Sequence, residues 1–379
     1  MPGGTKMKTL SLINTNLVSD SDIQLLAPVN LAGTDLHFGI VEVDEPHFDP
    51  NHEDNRNFVL VKVDAFSCNY RDKAIILKSA LKMAGSTGID SLPFAFFGSD
   101  FVGRIIKKGT DVDHFDIGDR VIPDCAYPES PFPGVAPGVV TNEASKGWLR
   151  LHKAKLIGIP NFMDDEIAAS YSIGGQTSTS MIRRTGVQKG EKALVLSSRS
   201  NTSMFILNGL ISKGIETTAL TTSDWSEDEK RLISPTRLIK IERGAADWSK
   251  YSDLGKFNVI FDPYFDLHLT QAIDLLEQGG RYITCGYKNQ HPHFVETSDK
   301  KTNSEQIHQS MLTLTINNLS IIGNCIGTSD DLNKSIEKFD PNKFIVPVDN
   351  TFSIENGDKF IDRTYNRNTR LGKAVLIYR

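Results

Sequence analysis

The segment Cys68-Asn69-Tyr70-Arg71-Asp72 sets a thiol, a carboxamide, a phenol, a guanidinium and a carboxylate on successive positions, behind an apolar run that starts at Phe58. A tyrosine hydroxyl can give a proton or a hydrogen bond to a carbonyl or enolate oxygen, so Tyr70 is the candidate donor. Asn69 is then the group that positions a bound molecule, and Asp72 with Arg71 holds the loop by charge pairing. The plainer alternative makes Asn69 or Asp72 a cap at a helix start. Cys68 reads as a small buried residue rather than a nucleophile.

A second cluster follows the short apolar strand Lys192 to Leu196. The chain there runs Ser198-Arg199-Ser200-Asn201-Thr202-Ser203 into a hydrophobic helix. In a strand–turn–helix unit that binds a nucleotide, glycines at this turn permit a tight bend and close approach to a pyrophosphate. The helix N-terminus then faces the phosphates. Serines stand here where glycines are expected. Their hydroxyls and the backbone amides can still meet phosphate, and Arg199 adds charge. As structure alone, the same residues cap a helix. The next strand, Glu216 to Thr221, runs into Thr222 and Ser223 rather than the Asp or Glu that would hold an NAD ribose hydroxyl. Small hydroxyls, with Lys230 and Arg231 downstream, suit a 2′-phosphate better. The expected cofactor is therefore NADPH, with NADH as the alternative.

The elements that must position these clusters change character along the chain. Before about residue 165 the signals are mostly strands: Phe58 to Asp64, Phe101 to Lys107, and another after the turn at Gly118. A helix is expected over Asn69 to Lys82, and a proline- and glycine-rich loop over 123–147. Helices are next expected over Asp164 to Arg184, Thr202 to Lys213, Asp224 to Ile233 and Leu267 to Glu277. Strands are expected at Lys192 to Leu196, Glu216 to Thr221, Val259 to Phe261, Arg281 to Cys285 and Leu319 to Gly323. Strands alternating with helices imply a parallel sheet. The tail Lys373 to Tyr378 is a strand that returns to the first part.

Charge and composition remove whole classes of function. The chain has 379 residues and a net charge of -5, which argues against a general nucleic-acid binder. Its 4 cysteines include no CxxC pair, so neither a disulfide framework nor an all-cysteine zinc site is expected. No run of about 18 apolar residues exists to span a bilayer, and the N-terminal stretch is too polar for a signal-peptide core. A cytoplasmic setting with no membrane partner is the expectation. His291-Pro292-His293 lacks a third ligand at useful spacing and reads as loop surface, within a long polar stretch from Lys288 to Asn303. No G-x-S-x-G or HExxH segment supports a hydrolase. The acidic run 224–229 reads as a solvated helix start.

Taken in order, several motifs resemble the medium-chain dehydrogenase/reductase superfamily, over roughly residues 58–379. Asn69-Tyr70-Arg71-Asp72 resembles the NYRD element of its zinc-free, quinone-oxidoreductase-like branch. Phe97 to Gly103 resembles the family's G-x-[DE]-x-x-G segment, and Phe115 to Val121 its F-x-x-G-D-R-V turn. Gly175-Gln176-Thr177 is similar to the segment beside the nicotinamide. Gly279-Gly280-Arg281 and Gly286 are similar to the end of the nucleotide-binding half, and Gly372 to Leu376 to the closing strand. Zinc members have Cys where Asn69 stands and His where Ser99 stands, and no third ligand appears near Ser172, so no metal site is expected.

The resemblance implies an α/β protein: a GroES-like β-barrel catalytic domain, residues 1–165 with 330–379, and a Rossmann doubly wound cofactor domain, residues 166–329. It implies an NADPH-dependent, zinc-independent oxidoreductase that reduces an activated C=C bond. Tyr70, Asn69 and Asp72 are the expected catalytic set. Thr177, Ser198, Arg199, Ser200, Asn201, Thr202, Ser203, Thr222, Ser223, Lys230 and Gly286 are the expected cofactor contacts. The alternatives are a dehydroalanine reductase acting on lanthionine-type peptides, a zinc-dependent alcohol dehydrogenase, and a binding protein that lost its cofactor. The substrate is a small molecule or a peptide. Such proteins are often homodimers, and no interface is legible in the sequence.

Overall fold

Residues Phe58–Ser67 carry Val, Leu, Ala and Phe at positions buried on both faces, with Lys62 and Asp64 at half-covered ones. That is the composition of a central strand packed on both sides. The structure, a computed structural model, describes residues 5–18, 23–85, 92–245, 248, 251, 254–287 and 304–378. The histidines His291 and His293 and the stretch 288–303 lie outside the described residues. The chain forms two compact units: Met1–Ile173 with Val348–Arg379, and Gly174–Pro347.

The first unit is built from β1 (Lys6–Ile13), β2 (Gln24–Leu25), β3 (Val29–Leu31), β4 (Thr34–Leu36), β5 (Phe38–Asp44), β6 (Phe58–Ser67), β7 (Phe94–Ala95), β8 (Asp100–Lys108), β9 (Arg120–Pro123), β10 (Trp148–His152), β11 (Leu156–Gly158), β18 (Val348–Ser353) and β19 (Lys373–Ile377). One sheet runs β11-β9-β8-β6-β19-β18, with β10 also on β6; a second runs β2-β5-β1-β7. Leu10, Leu12 and Phe38 of the second sheet share one apolar core with Val61, Val63, Phe66 and Leu376 of the first. The closing strand β19 pairs antiparallel with β6, Leu376 opposite Phe66. Helix α1 (Asp72–Gly85) follows β6 directly.

The second unit holds a six-stranded sheet with every pairing parallel: β12 (Lys192–Val195), β13 (Glu216–Thr221), β14 (Arg237–Lys240), β15 (Phe257–Asp262), β16 (Leu276–Thr284) and β17 (Ser320–Gly323), ordered β14-β13-β12-β15-β16-β17. The chain winds outward from β12 and then restarts at β15, the doubly wound order whose switch point lies between those two strands. Connecting helices include α3 (Ser172–Thr185), α4 (Asn201–Ser212), α5 (Glu227–Leu232) and α6 (Phe265–Ala272).

Two expectations need correction. The single helix over Asp164 to Arg184 is broken into α2 (Asp165–Ala168) and α3. At the break Ser170 Oγ donates to the Ile167 carbonyl and Ser67 Oγ to the Ala169 carbonyl, so side chains take acceptors that a continuous helix would use. The helix over Leu267 to Glu277 stops early, because Leu276 already pairs with Phe257 and opens β16. Strand β14, helix α7 (Ser304–Ile316), helix α8 (Ser329–Glu337), strand β18 and helix α9 (Gly357–Tyr365) were not anticipated.

Candidate functional site

In the first unit the loop from β6 into α1 closes on a polar knot. Asn69 Nδ2 donates to Ser99 Oγ at 2.9 Å and to Asp100 Oδ2 at 3.1 Å. Asn69 Oδ1 accepts from the Lys373 ammonium at 2.9 Å, and the same ammonium lies 2.5 Å from Asp100 Oδ2. Lysine has no acceptor and a carboxylate no donor, so the amide's orientation follows from its neighbours. Ser99 Oγ passes its own hydrogen to Asp72 Oδ2 at 2.6 Å, and the Asn69 amide donates to the same oxygen at 2.8 Å. Arg71 closes the chain, donating to Asp72 Oδ1 at 3.0 Å and to Asn142 Oδ1 at 2.8 Å.

Lys373 is 2% exposed, Asp72 1% and Asp100 0%, so the charged centre of the knot is sealed from water, while Asn69 and Arg71 at its rim are half-buried. Burial raises the Asp72 carboxyl above its ordinary range, opposed by the Ser99 hydroxyl, Arg71 and the Asn69 amide. Cys68 is buried, and loss of water pushes its thiol well above the usual range, as a packing residue requires. Tyr365 Oη donates to the Asn69 carbonyl at 3.2 Å, which fixes the backbone under the side chain. Tyr70 sits half-buried on the next position, its carbonyl accepting from the Lys73 amide as α1 begins. The expected charge pair of Arg71 with Asp72 is present. Asn69 has both ends of its amide engaged within the knot. Lys373 and Asp100, the charged centre of this arrangement, were not singled out from sequence. Their signal is a lone charge in each of two apolar strands, DFVG and KAVLI.

In the second unit the turn after β12 lies at the switch point. The Leu196 amide donates to Phe261 O and the Ser198 amide to Leu220 O, so the turn is pinned to both neighbouring strands. Ser197, which sequence reasoning passed over, takes φ +49, the left-handed region where glycine is usual. Ser200 caps α4, its Oγ accepting from the Ser203 amide at 3.2 Å, and Ser203 Oγ donates to Leu196 O at 2.7 Å. A helix leaves its first amides without intrahelical partners, and here Ser200 Oγ meets that of Ser203. Ser198 Oγ is buried and has no hydrogen-bond partner among the described residues. A Cβ on Gly174 would come 2.5 Å from Asn201 Nδ2, so α3 packs directly on the start of α4. Thr177 is buried on that same helix, and the Gly286 carbonyl accepts from the Phe265 amide beyond the end of β16.

At the end of β13, Thr222 and Ser223 are half-buried. Arg199 crosses to meet them: its guanidinium binds Glu229 at 2.6 and 3.1 Å and the Asp224 carbonyl at 3.1 Å, and lies 5.2 Å from the Trp225 ring. Lys230 is exposed on α5 and pairs with Glu227 at 2.7 Å, as Arg231 does with Asp228. Lys240 pairs with Asp224 at 2.5 Å. Each of these cations therefore already has a carboxylate. The structure thus brings Ser198 through Ser203, Thr222 and Ser223 to one edge of the sheet, and turns Lys230 onto its own helix. Asp262, buried at the end of β15, accepts from the Tyr264 amide, His268 Nδ1 and Tyr282 Oη at 2.8, 2.9 and 2.5 Å.

A family model described as the alcohol dehydrogenase GroES-like domain matches residues 55–147. No curated protein matches the chain. Among solved structures, a thermostable alcohol dehydrogenase from Pyrobaculum aerophilum is similar at TM-score 0.68 and 16% identity, over 98% of this chain and 100% of that one. The quinone oxidoreductase from Coxiella burnetii gives TM-score 0.68 and 16% identity over 99% and 100%. A crotonyl-CoA carboxylase/reductase in complex with NADP gives 0.70 and 14% over 100% and 97%. At these identities the likeness is one of fold.

Proposed function

We propose that this chain, by fold a member of the medium-chain dehydrogenase/reductase superfamily, is a zinc-independent oxidoreductase that uses a nicotinamide dinucleotide, NADPH or NADH, to reduce an activated C=C bond. The observation that carries this reading is the Lys373 ammonium held between Asn69 Oδ1 and Asp100. An amide and a hydroxyl stand where zinc chemistry would want thiolate and imidazole. A fixed positive charge at 2.9 Å from that amide repels a divalent cation. Polarisation of a substrate carbonyl therefore falls to hydrogen bonds.

The residues present fit a dinucleotide. Ser198 Oγ is an orphaned buried hydroxyl at the switch point, and α4 starts three residues on, capped by Ser200. Arg199, Ser200, Asn201 and Ser203 complete that turn, with Thr222 and Ser223 toward the ribose and Thr177 and Gly286 toward the nicotinamide. When bound, the dinucleotide supplies the hydride. Tyr70 donates a hydrogen bond, then a proton, to the oxygen on which charge develops. Asn69 and Asp72 hold the Tyr70 loop rather than touching the substrate, because their polar atoms are engaged in the knot.

The test is NADPH oxidation with a panel of small enones and a dehydrated peptide, using protein stripped with chelator. Full activity with less than a tenth of an equivalent of metal is expected. Activity that returns only with stoichiometric zinc overturns the reading, and turnover of the peptide alone transfers it to a dehydroalanine reductase. Four free thiols accord with a reducing, cytosolic setting, and no helix among the described residues is long and apolar enough to cross a membrane. The edge strand β17 exposes Ile321, with Ile316 and Met311 exposed on α7 before it, and an unpaired apolar edge supports association with a second copy.

A further inference from the structure

The Arg199 guanidinium reaches the segment after β13, donating to the Asp224 carbonyl at 3.1 Å. Both of its terminal nitrogens reach Glu229, in the paired geometry with which arginine also grips phosphate. The pair is well covered: the Arg199 side chain is 11% exposed and the Glu229 side chain 25%. In a doubly wound sheet the adenosine ribose lies at the end of the second strand, here Thr221 followed by Thr222 and Ser223. A 2′-phosphate arriving there meets Arg199 with its hydrogen bonds already given to a carboxylate. It also meets the negative charge of that carboxylate. Lys230, Arg231 and Lys240 are exposed and each already faces a carboxylate, whereas the Arg199–Glu229 pair is the well-covered one among them.

We infer that Glu229 sets the choice between NADPH and NADH by competing with the 2′-phosphate for Arg199. The inference rests on the dinucleotide reading above and adds to it a residue that the sequence presents only as part of an acidic helix start. Glu229 has a second task. It accepts from the Ser226 amide at 2.8 Å while its own amide donates to Ser226 Oγ, a reciprocal cap on α5. Glutamine performs that cap equally well. Glu229→Gln therefore removes the charge and keeps the helix start. NADH carries no 2′-phosphate to compete with Glu229 for Arg199, so the change bears far less on it.

The experiment is calorimetric titration of the intact protein with NADPH and, separately, NADH, for the wild type, Glu229→Gln, Arg199→Met and the double variant. Glu229→Gln tightens NADPH on the order of tenfold, the worth of one charge-assisted contact, and leaves NADH within about twofold. Arg199→Met weakens NADPH by a similar factor, and in its background Glu229→Gln no longer tightens NADPH. Binding of both dinucleotides with an affinity ratio that Glu229→Gln does not move overturns the competition and leaves the dinucleotide reading standing. Binding of neither dinucleotide by the wild type overturns both.

Discussion

The knot of the first unit and the serine turn of the second are built on opposite plans. In the knot, two carboxylates and an ammonium are taken out of water and held by side chains from the loop between β6 and α1, from α1, from the start of β8 and from β19. In the turn, short hydroxyl side chains bond mostly to their own neighbours in sequence, and Ser198 Oγ is left without a hydrogen-bond partner. A cluster whose buried charges are all engaged with one another is expensive to disturb and has little left with which to meet a ligand. A turn with an orphan hydroxyl is cheap to alter and has something left to offer. The difference fits the proposed reading, in which Asn69, Asp72, Asp100 and Lys373 are scaffold and the serines are contacts.

The largest effect should come from removing one partner of the buried pair. Lys373→Met leaves the Asp100 carboxylate unpaired in an apolar setting and should cost the first unit about 3–5 kcal/mol in denaturant unfolding. The double variant Lys373→Met with Asp100→Asn should regain most of that loss, since no charge then remains uncompensated. A loss below about 1 kcal/mol for the single variant would mean that the knot is not the scaffold the comparison makes it.

Tyr70→Phe separates contact from scaffold within one loop. If Tyr70 is the donor, turnover should fall about 100-fold with unfolding midpoint unchanged. Unaltered turnover and product stereochemistry would move the donor elsewhere.

Much of this division was visible in the sequence, though unevenly. The alternation of strands and helices after residue 192 is local, and the doubly wound sheet follows from it. The knot is not local: Lys373 meets Asn69 across 304 positions. Periodicity says that β19 is a strand but not which buried lysine finds which carboxylate. At Glu229 the helix start was legible, but its pairing with Arg199 joins two crossovers and shows only in three dimensions. The broken helix at Ala169 has the same origin, since the hydroxyl that takes its carbonyl comes from Ser67 on β6.

Acid should act in opposite senses on the more buried carboxylates of the two units, the lowered Asp111, Asp113 and Glu355 of the first lying at the surface and screened by solvent. The Arg199 guanidinium holds Glu229 below its ordinary range; at Asp331 burial is overcome by Arg183 and the Thr328 hydrogen bonds together, and at Glu191 by Arg281 and the Gln188 amide, so both are lowered likewise. Groups lowered by folding contribute stability above their unfolded values, near 4, and that stability is lost as pH falls through the lower folded values. Burial raises Asp64 and Asp72, against Arg104 in one case and the Ser99 hydroxyl in the other. For these the folded state takes the proton more readily, so the cost of keeping them ionised is relieved as pH falls. Hydrogen exchange corrected for intrinsic rate should show amides of β12 and β13 losing protection before those of β6 and β8 between pH 5 and about 3. Loss in the reverse order would break the contrast.

The smallest effects belong to the serine turn, and their signs are the sharpest test of it. A buried hydroxyl without a partner costs the fold, so Ser198→Ala should stabilise the second unit by about 1 kcal/mol. The same hydroxyl is read as a phosphate contact, so dinucleotide binding should weaken by about fivefold in the same variant. Stability and affinity then move in opposite directions, which a purely structural serine would not produce. Ser197→Gly, by contrast, relieves a left-handed backbone and should stabilise by about 0.5–1 kcal/mol with affinity unchanged. If Ser198→Ala lowers both stability and affinity, its hydroxyl is bonded within the fold, and the turn is built like the knot.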